Sequence, residues 1–328
     1  MPLVSFASLE YALAIVAALW LALAIDRWLG EPPARCHPVV WMGQYLGAIS
    51  SRTAPLPKDA KPVDLPAFFI GALTWCVGAA AVGGVAMALQ GMLTMWLPLW
   101  AMAVVLGLLL KPLFAWRMLR DEVLAVEAAL AVSLDAGRKQ LARLVSRDVS
   151  MLSEREVRES AIESLAENLN DSLVAPVFWF VLLGLPGAAV YRFANTADAM
   201  WGYLGLRNGR DWTWFGKWAA RADDLLSWLP ARITVGLLVL AAWRWPTRLS
   251  EEALRTPSPN SGWPMAAMAL LLGVRLAKPG VYALNAEGRA VTAADTQRTA
   301  QLGGRAALAL AVVASMGIVA VTCWRWWA

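Results

Sequence analysis

Between Ser160 and Pro176 the chain reads SAIESLAENLNDSLVAP, which sets Glu163, Glu167, Asn168, Asn170 and Asp171 directly before an apolar run. At about 100° per residue on a helix, Glu156, Glu159, Glu163, Glu167, Asn170 and Asp171 fall within an arc of roughly 120°. Val157, Ala161, Leu165 and Leu169 lie on the other side. Carboxylates crowded along one face, with few cations between them, repel one another unless a metal or a cationic ligand joins them. The competing reading is a solvated helix face.

A second set of acids follows. Asp198, Asp223 and Asp224, with Asn195 and Asn168, are oxygen donors of the kind magnesium takes, one or two carboxylates completed by phosphate oxygens and water. The same residues read equally as helix caps and as partners of Arg192, Arg221 and Arg232. His37 is the single histidine, set between Cys36 and Pro38. It is either an acid–base group or a structural residue of a Pro-rich loop, and alone it excludes a multi-histidine metal site. Arg147, Arg221 and Arg232 are of the type that holds phosphate, and also of the type that commonly flanks membrane segments. Gly216-Lys217 is followed by Trp218 where a Walker-type loop needs Ser or Thr, so any nucleotide site is of another kind. Cys36, Cys76 and Cys323 form neither a disulfide framework nor a zinc pattern.

The elements that position these groups belong to a chain that is 59% hydrophobic and 16% charged over 328 residues, with a mean hydropathy of +0.52. A soluble domain is nearer 45–50% apolar and about 25% charged. The composition therefore predicts an all-α, polytopic integral membrane protein with roughly five to six membrane segments. Its 19 Trp suit the aromatic belts of the bilayer interface. The net charge of +5 is concentrated in loops and reads as topology and headgroup contact, with no nucleic-acid partner.

Tyr11 to Ile25 is a short first span, ended by the loop containing Pro32-Pro33. Leu65 to Leu110 carries no charge and fits two helices turning at Gln90-Gly91; the Lys and Arg flanking that hairpin place its ends in the cytoplasm. Lys111 to Asp171 predicts a soluble helical insertion, with an amphipathic helix over Phe114–Val132 and a break at Gly137. Ser153-Glu154-Arg155-Glu156 is a capping box that starts the acidic helix. Ser172 to Tyr191 is uncharged but interrupted by Gly184-Leu185-Pro186-Gly187, which predicts a re-entrant pair of half-helices and keeps both polar clusters on one side. A polar loop over about 191–232, membrane segments at Leu229–Trp245 and Arg305–Trp324, and an apolar stretch Met265–Leu276 too short to span complete a single membrane-embedded domain over 1–328.

Set side by side, DRWLGEPPARCHPVVWMG, SRDVSML with AIESLAENLNDSLVAPVFW, YRFANTADAMWGY, FGKWAARADDLLSWLPAR, and PNSGWP followed by GVRL resemble the cobalamin-biosynthesis family CobD/CbiB, the adenosylcobinamide-phosphate synthases. The resemblance covers nearly the whole chain, and its blocks recur in order. Departures are Glu31 where the family pattern has Asp, Met265 where an acid is common, Ala277-Lys278 for Gly-Gly, and Leu284 for Gly.

The resemblance implies a multi-pass enzyme of the bacterial inner membrane. It would join the carboxylate of adenosylcobyric acid to an amino-alcohol, typically 1-aminopropan-2-ol phosphate, giving adenosylcobinamide phosphate with consumption of ATP in the presence of Mg2+. A carboxylate condenses with an amine in water only when activated, most simply as an acyl phosphate. Such a site needs cations against phosphate charge and a base for the ammonium proton. The resemblance then points to Glu163, Glu167 and His37 for catalysis, with the two glutamates facing the amine or the metal. It points to Asp198, Asp223 and Asp224 for the metal. Arg147, Asn168, Asp171, Asn195, Tyr203, Arg221, Arg232 and Asn260 are the implied substrate- or nucleotide-binding residues. The lipid bilayer and other late membrane enzymes of the pathway are the implied partners. Two further classes stay open on the sequence: a membrane transporter, and a non-catalytic membrane sensor on the same fold.

Overall fold

The computed structural model describes residues 8–57 and 62–327. They form helices α1 (Leu9–Trp28), α2 (Pro38–Thr53), α3 (Leu65–Trp96), α4 (Leu99–Leu110), α5 (Trp116–Leu130), α6 (Leu134–Leu141), α7 (Glu154–Leu169), α8 (Ala175–Trp201), α9 (Lys217–Ala242), α10 (Leu249–Ala253), α11 (Gly262–Leu272) and α12 (Ala293–Trp327). Two small antiparallel hairpins complete the set, β1 (Leu206–Arg207) with β2 (Arg210–Asp211), and β3 (Leu276–Lys278) with β4 (Tyr282–Leu284). Among the described residues, six helical stretches are long and apolar enough to cross a membrane: Leu9–Trp28, Leu65–Trp96, Leu99–Leu130, Glu154–Trp201, Lys217–Ala242 and Ala293–Cys323. The all-α, multi-pass architecture expected from composition is the one observed. Lys58 and Lys61, two of the cations behind the expected sidedness, lie outside the described residues.

The chain divides into two compact units, one comprising Met1–Phe114, Ala175–Leu226 and Ser315–Ala328, the other Ala115–Val174 and Ser227–Ala314. In the first, α1 packs on α4, and α8 packs on α2 and α3. Small residues allow these approaches, as is usual between membrane helices. A methyl group on Gly107 would press on the Ala18 carbonyl, and one on Gly78 would overlap the rings of Phe193 and Tyr45.

Helix α3 runs unbroken through Gln90-Gly91, where the sequence suggested a turn. The chain turns at Leu97-Pro98 instead. A glycine inside a helix is only about 1 kcal/mol worse than alanine, whereas a proline supplies no N–H to the ladder. The Gln90 amide has a different use. Its Oε1 accepts a 2.7 Å hydrogen bond from the Leu185 amide, at the point where Gly184 (φ 69°, ψ −157°) breaks α8. The interruption expected at Gly184-Leu185-Pro186-Gly187 is therefore present, and a side chain from α3 satisfies the backbone it exposes.

The stretch read as a polar loop over 191–232 is loop only in its middle. Residues 191–201 continue α8 and residues 217–232 belong to α9. Ala194, Ala197 and Trp201 are buried at helical spacing, a period hidden by the surrounding charge and aromatic density. Between the helices, Asn208 and Gly209, both at positive φ, make the two-residue turn of β1–β2, as Asn-Gly does in tight hairpins.

In the second unit α5 packs against α6 and α7. Trp116, Leu119, Val123 and Val126 are buried at helical spacing, as are Val157, Ala161 and Leu165 of α7. Gly303 of α12 leaves room for the Trp116 ring. Gly137 does not break a helix. It lies buried inside α6 against Leu130, and the break falls just before, where Ser133 caps α6 by accepting from the Ala136 amide. The Ser153–Glu156 capping box forms as expected, and α7 ends in a π-helical turn over Asn170–Val174. The short apolar stretch is α11, buried along most of its length, and α9 and α12 begin at Lys217 and Ala293, earlier than their apolar cores suggested.

Replacing Gln90 by Leu should leave the Leu185 amide without an acceptor and destabilise the protein by about 1–3 kcal/mol. Thermal unfolding of the detergent-solubilised variant checks this, and an unchanged midpoint would remove the role given to Gln90.

Candidate functional site

Helix α7 is buried on nearly every side, its acids included: Glu159 is 1% exposed and Glu163 5%. A carboxylate in such a place needs partners. Glu159 has them. Its Oε1 accepts from Arg155 Nε at 2.7 Å and its Oε2 from the Ala277 amide at 3.1 Å, which fastens β3 to the helix. Glu156 remains in the capping box. Arg158 donates to both oxygens of Glu127 at 2.8 Å, and Thr296 Oγ1 donates to the same carboxylate at 2.9 Å.

Glu163 is different. Its Oε2 lies 3.9 Å from Arg147 Nη2, a long contact, and its Oε1 accepts no hydrogen bond. Arg147 gives Nη2 to Ser160 Oγ while its buried Nε has no acceptor. Across from them stands Tyr282, whose hydroxyl is hydrogen-bonded to the Glu163 carboxylate and lies 3.8 Å from Met265 Sδ, a weak acceptor. Burial first, and then the charges of Glu163 and Glu167, push the Tyr282 phenol far above its ordinary value, so it stays a neutral O–H donor. A buried donor and a buried acceptor left unmade beside one another cost roughly 1–3 kcal/mol each, and such groups call for a ligand.

Other α7 residues are occupied locally. Asn168 Nδ2 donates to the Ser164 carbonyl at 2.9 Å, and Asp171 accepts from Asn170 Nδ2 at 2.7 Å within the π-turn. Asn170 Oδ1 in turn accepts from buried Thr234 at 3.2 Å. Arg232 donates to Asn260 Oδ1 at 2.8 Å and to the Pro259 carbonyl at 3.1 Å, with its guanidinium near the rings of Trp228 and Trp263. The structure thus joins Arg232 and Asn260 to each other in the loop that precedes α11.

The first unit holds the remaining residues singled out from the sequence. Asn195 on α8 lies 3.4 Å from Asp223 Oδ1 on α9 and accepts from Arg192 at 3.2 Å. Asp198 stands one turn further along α8, against Gly202. Arg221 is 3.8 Å from Asp224 and mostly exposed. Tyr203 donates to the Ala199 carbonyl and carries the Arg207 guanidinium 3.6 Å above its ring. His37 caps α2, with Nδ1 accepting from the Val39 amide and Nε2 3.2 Å from Glu31 Oε2. Glu31 Oε1 is 2.8 Å from Lys111 Nζ, and Lys111 reaches Asp26 at 3.2 Å. Lys111 and Asp26 are 3% and 2% exposed in their side chains. This chain of charge borders a cavity of about 720 Å³, walled mostly by apolar residues of α2, α3 and α4. Sequence reading missed it: single charges at the ends of apolar runs look like ordinary flanks, and nothing local pairs Asp26 with Lys111. Tyr282 was missed because nothing local ties it to α7, and Lys278 stood out only as a departure from the family pattern.

Among the described residues no three His, Cys, Asp or Glu side chains gather as a metal cage. Six helical stretches able to span a bilayer, with charge paired between them, define a multi-pass membrane protein. The family model described as CobD/Cbib protein matches residues 19–315. The chain is 42% identical over 284 residues to the probable cobalamin biosynthesis protein CobD of Methanothermobacter thermautotrophicus, covering 82% of this chain and 86% of that protein. It is 36% identical over 328 residues to the cobalamin biosynthesis protein CobD of Rhodobacter capsulatus, covering 93% and 97%, and 36% identical over 280 residues to that of Brucella suis, covering 80% and 82%. The chain belongs to the CobD/CbiB family of cobalamin biosynthesis. No solved structure matches it.

The Lys111 cluster makes a pH-dependent contribution to stability. Burial works to raise the Glu31 carboxyl, but hydrogen bonds from His37 and Lys111 outweigh it and hold it below its ordinary 4.5. Its contribution is then present in full above that value and lost as pH falls through the lowered one. Melting temperature should drop on acidification below about pH 4.5, with a shallower drop in Glu31→Gln. Lys111→Met, which leaves two acids without their cation, should destabilise by about 3–5 kcal/mol at neutral pH.

Proposed function

We propose that the protein forms an amide bond. It joins the carboxylate of adenosylcobyric acid to 1-aminopropan-2-ol phosphate, or a related amino-alcohol, and yields adenosylcobinamide phosphate. The reading rests on family membership over most of the chain, and its chemistry is anchored by one observation, the buried Glu163 carboxylate whose Oε1 has no partner.

A buried acid of this kind is suited to hold an ammonium group, and then to take its proton so that the amine nitrogen can attack an activated acyl carbon. Glu167, half-buried one turn further on, adds negative charge for the same cation. Arg147, with Nε unmade, is the cation placed to accept phosphate. ATP activates the carboxylate as an acyl phosphate, whose phosphate departs when the amide forms. Magnesium, when bound, offsets charge on the phosphate oxygens. Asp198, Asp223, Asp224 and Asn195 in the first unit are its proposed donors, with Arg221 for phosphate. All are oxygen ligands, the type magnesium takes alongside phosphate oxygens and water. The proposed setting is the bacterial inner membrane, in the company of other late enzymes of the pathway.

Mass spectrometry of purified protein incubated with adenosylcobyric acid, ATP, magnesium and 1-aminopropan-2-ol phosphate should detect the amide, and chelation of magnesium should abolish it. Glu163→Gln should lower the rate by about a hundredfold or more, as loss of a general base does. Absence of product with both the phosphorylated and the free amino-alcohol would overturn the ligase reading. Full activity in Glu167→Ala or Asp198→Ala would remove those residues from the assignment.

A further inference from the structure

We propose that the β3–β4 hairpin reads the phosphate of the amine substrate, through Lys278 and Tyr282. The ammonium sits on Glu163, and the phosphate lies among Arg147, Lys278 and Tyr282. The inference rests on the reading that this cluster takes an amine, and adds which residues select its phosphorylated form.

Three observations carry it. First, Lys278 and Tyr282 are direct cross-strand partners, so their side chains share one face of the hairpin. The tight connection between them passes through Gly280 at φ 71°. Second, the hairpin is held in place by the acidic helix itself, because the Ala277 amide is bound to buried Glu159. Tyr282 hydrogen-bonds to Glu163 and the charge of Lys278 acts on it, and Tyr282 also responds to Glu167 and Arg147. Third, the unmade hydrogen bonds are of both kinds. Glu163 Oε1 lacks a donor and Arg147 Nε lacks an acceptor, while the neutral Tyr282 hydroxyl is shared between the Glu163 carboxylate and the Met265 thioether.

A simple cation would satisfy Glu163 and leave the donors waiting; a simple anion would do the opposite and meet Glu163 and Glu167 as like charges. A small molecule carrying an ammonium at one end and a phosphate monoester at the other satisfies both. Two cations, Arg147 and Lys278, then face the phosphate and two carboxylates face the ammonium, with Tyr282 adding a neutral O–H donor.

Calorimetric titration of the full-length protein in detergent tests this with O-phosphoethanolamine, ethanolamine and glycerophosphoethanolamine as probes. The phosphate monoester should bind at least about tenfold more tightly than ethanolamine. Tyr282→Phe and Lys278→Met should each erase about tenfold of that preference while leaving ethanolamine affinity unchanged, and Glu163→Gln should weaken both. Equal losses for the phosphorylated and free amines, no loss in either hairpin variant, or failure of the wild type to bind the monoester would overturn the inference. Equally tight binding of the diester would assign the cluster to a lipid headgroup and overturn it as well. The amide assay separates the two proposals. A wild type that makes amide with a preference for the phosphorylated amine untouched by either variant refutes the hairpin's role and leaves the ligase reading intact. A wild type that makes no amide but binds the monoester through the hairpin does the reverse.

Discussion

Taking a charge out of water is the constraint on which this fold turns. Glu159, at 1% exposure, is tolerable only because Arg155 and the Ala277 amide both donate to it, and the second of those bonds ties a hairpin onto the helix. The same requirement recurs wherever charge is buried. Lys111 is met by Asp26 and Glu31, and Arg158 by Glu127 with Thr296 behind it. Replacing such clusters by apolar packing can be neutral for stability, so their worth lies in the arrangement they impose as much as in energy.

Completeness separates the scaffold from the site. The Asp26–Lys111–Glu31–His37 cluster holds each charge within 3.2 Å of an opposite or hydrogen-bonding one. The Glu163–Arg147 pair does not close: the contact is long and an atom on each side is left over. Glu159, one turn away on the same helix, has both carboxylate oxygens matched, and beside it that gap is informative. Relatives bearing the same family name occur in archaea and in bacteria, as would suit a site defined by chemistry common to a pathway.

What could be read from the sequence was what is written locally. The Ser153–Glu156 box carries its own partner three residues on, and the Gly184–Gly187 interruption breaks a helix wherever it sits. Apolar length alone revealed most of the spanning helices. Errors arose where a local signal had a non-local purpose. Gln90 looked like a turn residue because its amide is out of place in an apolar run, and the break in α8 and the Tyr11 hydroxyl, both distant in the chain, give it partners. Gly137 looked like a breaker because nothing nearby says that Leu130 will lie against it. A solvated face competed for Glu159, Lys278 stood out only as a departure from the family pattern, and Tyr282 went unremarked, because the hairpin that gives them meaning is fastened by a bond between residues far apart in the chain.

The Gln90–Leu185 bond also bears on how such a chain can change over generations. Each half is weaker without the other: a polar oxygen in an apolar helix loses its backbone donor on one side, and a bare N–H is left in a broken helix on the other. Drift at either position alone passes through a weakened protein, so the two sites should be inherited as a pair. A descendant that straightens α8 should be free to lose the glutamine, and one that keeps the break should replace it only with another acceptor of similar reach.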